Sequence, residues 1–213
     1  MSDLTIVREQ FNKIWELESI PFILKTEHPS IKKNSIGKTS GKFTYSNYYE
    51  RYKECIDDNN YQLMMQDESI ITMFYSFNDN ESISKYNLSF IPSLNCEIDE
   101  NNCEINNIIG DVENYVRIDL DEKGYEKIVH EKQHLHLGLN FNTKNNERHK
   151  IRLPIGEKLY PFDFIYLILK FVYNMSEKYS KYFDSVCKDE RCKVININEQ
   201  LFHIKYNFVY FQG

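Results

Sequence analysis

The feature that most constrains this chain is strict alternation in two short segments. Val116, Ile118 and Leu120 alternate with Arg117, Asp119 and Asp121. Leu135, Leu137 and Leu139 follow the same rhythm beside His134 and His136. Successive side chains of an extended strand point to opposite sides, so each segment presents one apolar and one polar face. A third segment, Lys150 to Leu153, carries Ile151 and Leu153 on one side and Arg152 on the other. Paired as antiparallel neighbours, the three would gather two histidines, two carboxylates and two arginines on one open face. The opposite face needs a cover.

The rest of the chain supplies strands and a cover. Tyr61 to Gln66, Ile70 to Phe77 and Tyr86 to Ile91 are β-branched or aromatic runs. Asp67-Glu68-Ser69 and the cluster 78–82 separate them as tight turns, and Pro92 closes the third. Leu4, Val7, Phe11, Ile14, Trp15 and Leu17 predict a helix, with Ser2 or Asp3 as its cap. Tyr45 to Ile56 predicts a short second helix. Pro161 suits a first helical position. From Phe164 to Val186 the apolar residues follow one helical face, so 161–187 reads as one long helix. Residues 25–42 and 95–108 read as loops, and 201–211 as a weak strand. The expected fold is α+β, a single domain over 1–213. Its antiparallel sheet is packed by an N-terminal helix and a long C-terminal helix.

Composition narrows the function classes. A chain of 213 residues with 41% hydrophobic residues can bury one core, which excludes whole-chain disorder. The net charge of −6 argues against broad, nonspecific duplex binding, but not against a local basic groove. The tract from Ile31 to Lys38 is locally basic and reads either as a solvated loop or as a contact for an acidic partner. No apolar window reaches the length of a membrane span, and the N-terminus lacks a signal-peptide pattern, so the expectation is a cytoplasmic protein with no membrane contact. Five cysteines, at 55, 96, 103, 187 and 192, lack paired-knuckle spacing for zinc. Phosphate-binding glycine loops, nucleophile elbows and His-Glu-x-x-His are absent.

Three chemistries fit the polar face. His134, His136 and Asp119 could hold a divalent metal. The histidines could instead act without a cofactor, as acid and base on a phosphodiester, with Arg117 and Arg152 on phosphate oxygens. Or the cluster could be an ion-pair network that binds nothing.

These residues resemble a bacterial family, domain of unknown function 2290. The matching elements are Tyr86 to Pro92, Tyr115 to Asp119, His130, His134 to Gly138, Ile151 to Pro154 and Leu159 to Phe164. The resemblance implies a setting like bacterial anti-phage defence or toxin loci. It leaves two expectations. One is a nuclease acting on RNA through His134, His136, Asp119, Arg117 and Arg152. The other is a non-enzymatic subunit docking a protein partner of the same locus, an ATPase or nuclease.

Overall fold

A computed structural model describes residues 1–44, 47–93, 115–122, 132–138, 142–143, 146–147, 153–154 and 158–187. The expected loop at 95–108, the strand at 201–211 and the side chain of Arg152 lie outside the described residues. So do His130, His149, Leu139 and Ile151.

Helix α1 spans Asp3–Asn12, with the Ser2 hydroxyl accepting the Thr5 N–H at 3.3 Å. The apolar stripe continues to Leu17, but the α-helix does not. The Lys13 N–H is shared between the carbonyls of Glu9 and Gln10, both at 3.2 Å, and the chain tightens into a 3₁₀ helix over Ile14–Ser19. That change of pitch keeps Ile14 and Leu17 buried and turns Trp15 outward, 57% exposed.

The segment expected to be a loop at 25–42 contains strands. β1 is Ile23–Thr26, β2 Ile31–Lys32 and β3 Ser35–Ile36. β2 and β3 form a small hairpin that pairs onto β5, Ile70–Phe77, with Ile36 opposite Tyr75. β2 buries neither of its side chains and β3 buries only Ile36, too few to show a period in a polar sequence. Gly37 leaves the hairpin at φ +84°, and a Cβ there would lie 2.1 Å from the Met73 carbonyl oxygen. Only glycine can pass that close.

Helix α2 covers Tyr48–Asp57; β4 is Leu63–Met65, β6 Ile83–Ile91, β7 Val116–Asp121 and β8 Gln133–Leu137. β9, Asn142–Thr143, pairs β10, Asn146–Glu147; β11 is Leu153–Pro154. Among the described residues the main sheet has nine strands, and its central order is β1-β4-β5-β6-β7-β8-β11. The pairings are antiparallel, as the turn signals require. In the turn before β6, the Asn78 side chain accepts the N–H groups of Asn80 and Ser82.

One sheet face carries Tyr75, Tyr86, Leu88, Phe90, Ile118 and Leu120, all buried under α1 and the C-terminal helices. Leu135 packs there partly buried, while Leu137 on the same side is 59% exposed. The single long helix expected over 161–187 is two helices, α3 at Pro161–Phe171 and α4 at Glu177–Cys187. Asn174 adopts φ 49°, and the Met175 N–H returns to the Leu169 carbonyl at 2.9 Å. Asparagine tolerates this left-handed conformation better than most residues, so it ends a helix without glycine or proline. The apolar stripe survives the break because α4 folds back: Phe183 packs on Phe162 and Tyr166, with ring centres 5.7 and 5.4 Å apart. Buried Gln10 of α1 accepts the Phe162 N–H at 2.9 Å and so serves the start of α3.

The second face, expected to be open, is open only in part. α2 closes one end of it through Tyr48 and Cys55, which pack with Phe43, Tyr61, Ile70, Ile91 and Tyr115. The Tyr48 hydroxyl donates to the Pro92 carbonyl at 2.6 Å. The polar residues occupy the remaining end.

Candidate functional site

Register sets the site. Across β6, β7 and β8, Asn87 lies opposite Asp119, which lies opposite His134. One step along, Ser89, Arg117 and His136 form the next row, and Lys85 faces Asp121. These are same-parity positions on paired strands, so their side chains leave the sheet on one side. The sequence expectation that Arg117, Asp119, His134 and His136 share a face is met, and they are in contact.

Asp119 is the hub. Its Oδ2 accepts from Arg117 Nε at 2.9 Å and lies 3.3 Å from His136 Nε2 and 3.8 Å from His134 Nε2. Its Oδ1 accepts from the Asn87 amide at 2.6 Å. Arg117 also reaches His136, Nη2 to Nε2, at 3.1 Å. The two imidazoles meet edge to face with ring centres 4.7 Å apart. Burial alone would raise the Asp119 pKa. The hydrogen bond from His136, the Arg117 charge and the Asn87 amide outweigh it and hold the carboxyl down at about 2.

His136 Nε2 sits between a group that can only donate and one that can only accept. As a bare lone pair it accepts from Arg117; carrying a proton, it donates to Asp119. One nitrogen therefore has a built-in partner in either protonation state.

Both histidines are almost fully buried, at 2% and 5% exposure, yet they line a pocket of about 290 Å³. Asp119 and Arg117 share that lining. Lys85, Asn87 and the chain segment bearing Thr39, Gly41 and Lys42 form other parts of it. Lys85 is bound to Asp121 at 3.1 Å. Sequence reasoning missed Asn87 and Lys85, although Lys85, Asn87 and Ser89 alternate as Arg117, Asp119 and Asp121 do. It had no signal for the 39–42 wall, whose position depends on the β3–β5 pairing.

The donor atoms of Asp119, His134 and His136 lie within 4.8 Å of one another, close enough to converge on one divalent ion. Arg117 opposes that use. Its guanidinium already occupies Asp119 Oδ2 and His136 Nε2, and a metal would have to displace one positive charge with another. The arrangement favours proton transfer over metal ligation.

The depressed pKa of Asp119 has a consequence for stability. The native carboxyl stays ionised below the pH at which the unfolded one, near 3.8, takes up its proton. Its contribution, about 2 kcal/mol, is fully present above about pH 4 and is lost as pH falls through about 2. In urea unfolding at pH 5 and pH 2.5, Asp119→Asn should lose less stability between the two conditions than wild type. Equal losses would contradict this electrostatic account.

The chain matches, over residues 14–206, the family described as uncharacterised conserved protein (DUF2290). It belongs to this family. The match extends well beyond the elements from Tyr86 to Phe164 that carry the sequence resemblance, so the DUF2290 unit includes the 3₁₀ helix, the basic hairpin and both C-terminal helices. No curated protein and no solved structure matches the chain. Among the described residues, no helix is long and apolar enough to cross a membrane.

Proposed function

We propose that this DUF2290 protein cleaves RNA in the Asp119–His134–His136–Arg117 pocket, as a component of a bacterial anti-phage defence or toxin system. The observation that supports the chemistry is the opening of a buried two-histidine, one-carboxylate cluster into a pocket. A network serving stability alone has no need of that opening. The defence or toxin setting is supported by the sequence resemblance.

In this reading one imidazole takes the proton from a ribose 2′-hydroxyl as its oxygen attacks phosphorus. The other gives a proton to the departing 5′-oxygen as the P–O5′ bond breaks. The products are a 2′,3′-cyclic phosphate and a 5′-hydroxyl. Asp119, ionised throughout the working pH range, orients the imidazoles and offsets the positive charge that moves between them. Arg117 stabilises the charge gathering on the phosphorane oxygens. Arg152, one residue before β11, is proposed as a second phosphate contact.

The test is the product. Labelled RNA should yield 2′,3′-cyclic phosphate ends, its fully 2′-deoxy counterpart should stay intact, and a chelator should change nothing. Cleavage of both substrates, abolished by chelator, would replace this mechanism with a metal-dependent one.

A second reading has one observation in its favour. Trp15 of the 3₁₀ helix and Leu24 of edge strand β1 are 57% and 50% exposed on neighbouring elements. Exposed aromatic and aliphatic groups at a sheet edge suit a docked protein partner. That reading takes over if the isolated protein cleaves nothing.

A further inference from the structure

We infer that residues 31–42 form a track for the phosphates of a single-stranded RNA whose reacting nucleotide sits in the pocket. The inference rests on the phosphodiester reading above and names the shape of its substrate.

Charge is the first observation. Residues 28–42 contain Lys32, Lys33, Lys38 and Lys42 and no Asp or Glu. The segment carries +4, so the other residues sum to −6 − 4 = −10. A concentration of positive charge on an acidic protein marks where a polyanion is accepted. All four lysines are exposed, and among the described residues none is ion-paired.

Placement is the second. The hairpin is fixed to the sheet by the Ile36–Tyr75 pairing and the close pass of Gly37 over Met73. From there the chain crosses toward α2. Ser40 is buried, with its Oγ 3.5 Å from Asn87 Oδ1, the residue whose amide holds Asp119. Asn47 ties down the far end: it accepts the Thr44 N–H at 2.8 Å and donates to the Lys42 carbonyl at 3.1 Å. Thr39, Gly41 and Lys42 then form a wall of the pocket. The lysines are thus mounted on a strap anchored at both ends, and it leads into the site.

Size is the third. A pocket of about 290 Å³ lies at the small end of ligand cavities and takes one nucleotide-sized group. The rest of a strand must lie outside, and the strap is the basic surface continuous with the pocket. A base that enters the pocket must be unstacked, which favours a single strand over a duplex.

The test measures binding, so that it reads out whether or not cleavage occurs. In a His134→Ala/His136→Ala background, a fluorescent 12-nucleotide single-stranded RNA is titrated over a range of salt concentrations. Three lost phosphate contacts should flatten the log K against log [salt] slope by about 2. Lys32→Gln/Lys33→Gln/Lys38→Gln should therefore show that change, with affinity at low salt falling by ten-fold or more. With the histidines intact, the same lysine variant should cleave a dinucleotide at the wild-type rate. An unchanged slope and affinity would overturn the track even if the protein proves to be a ribonuclease. Equal competition by polyglutamate would overturn it in favour of an acidic protein partner. RNA binding that depends on the lysines, in a protein that cleaves nothing, would keep the track and remove the catalytic reading.

Discussion

His136→Gln should lower RNA cleavage by about 10²–10⁴-fold while shifting the melting temperature by only a few degrees. The rate loss follows from removing one member of an acid–base pair. The small stability change follows from what remains. Asp119 keeps Arg117 at 2.9 Å and Asn87 at 2.6 Å, and the glutamine amide can fill part of the imidazole's place. Rate and melting curve are to be measured on the same preparation. A drop of ten degrees or more would mean that His136 serves the fold. A folded variant with full activity would remove it from the chemistry.

The second large effect is on stability and leaves the site alone. Phe162→Ala should cost about 3–5 kcal/mol. Phe162 is fully buried at the start of α3, packs on Phe183 of α4, and donates its backbone N–H to Gln10 of α1. Three elements therefore meet at this residue, and loss of its ring opens a cavity between α3 and α4. Phe171, the last residue of α3 and 63% exposed, is the control: Phe171→Ala should change stability by about 0.5 kcal/mol or less. Urea unfolding of the two variants makes the comparison. Because Phe162 lies under the apolar face, the variant should keep its cleavage rate at temperatures where it remains folded. Similar stability losses at both positions would contradict the assigned core.

The part of this molecule that alternation controls was legible. Ile70–Phe77 is a strand over the range its β-branched and aromatic run predicts, and Arg117, Asp119, His134 and His136 meet as their spacing requires. The pleat fixes facing, so parity alone says which side chains can meet once the strands are neighbours. What parity cannot carry is cover. The closing of one end of the polar face by α2 depends on Tyr48 and Phe43 reaching Ile70, Ile91 and Tyr115 from distant parts of the chain. The helix break at Asn174 was hidden because α4 buries the same stripe after folding back. The strap was hidden because its strands are two residues long and its lysines look like any solvated loop.

The central claim is that His134 and His136 perform acid–base cleavage of RNA without a metal. It is tested most directly by incubating labelled RNA with wild-type protein and with the folded His134→Ala/His136→Ala variant, each with and without chelator. The account predicts cleavage by wild type in both conditions and none by the variant. Cleavage that persists in the variant would contradict it, as would wild-type cleavage that chelator abolishes.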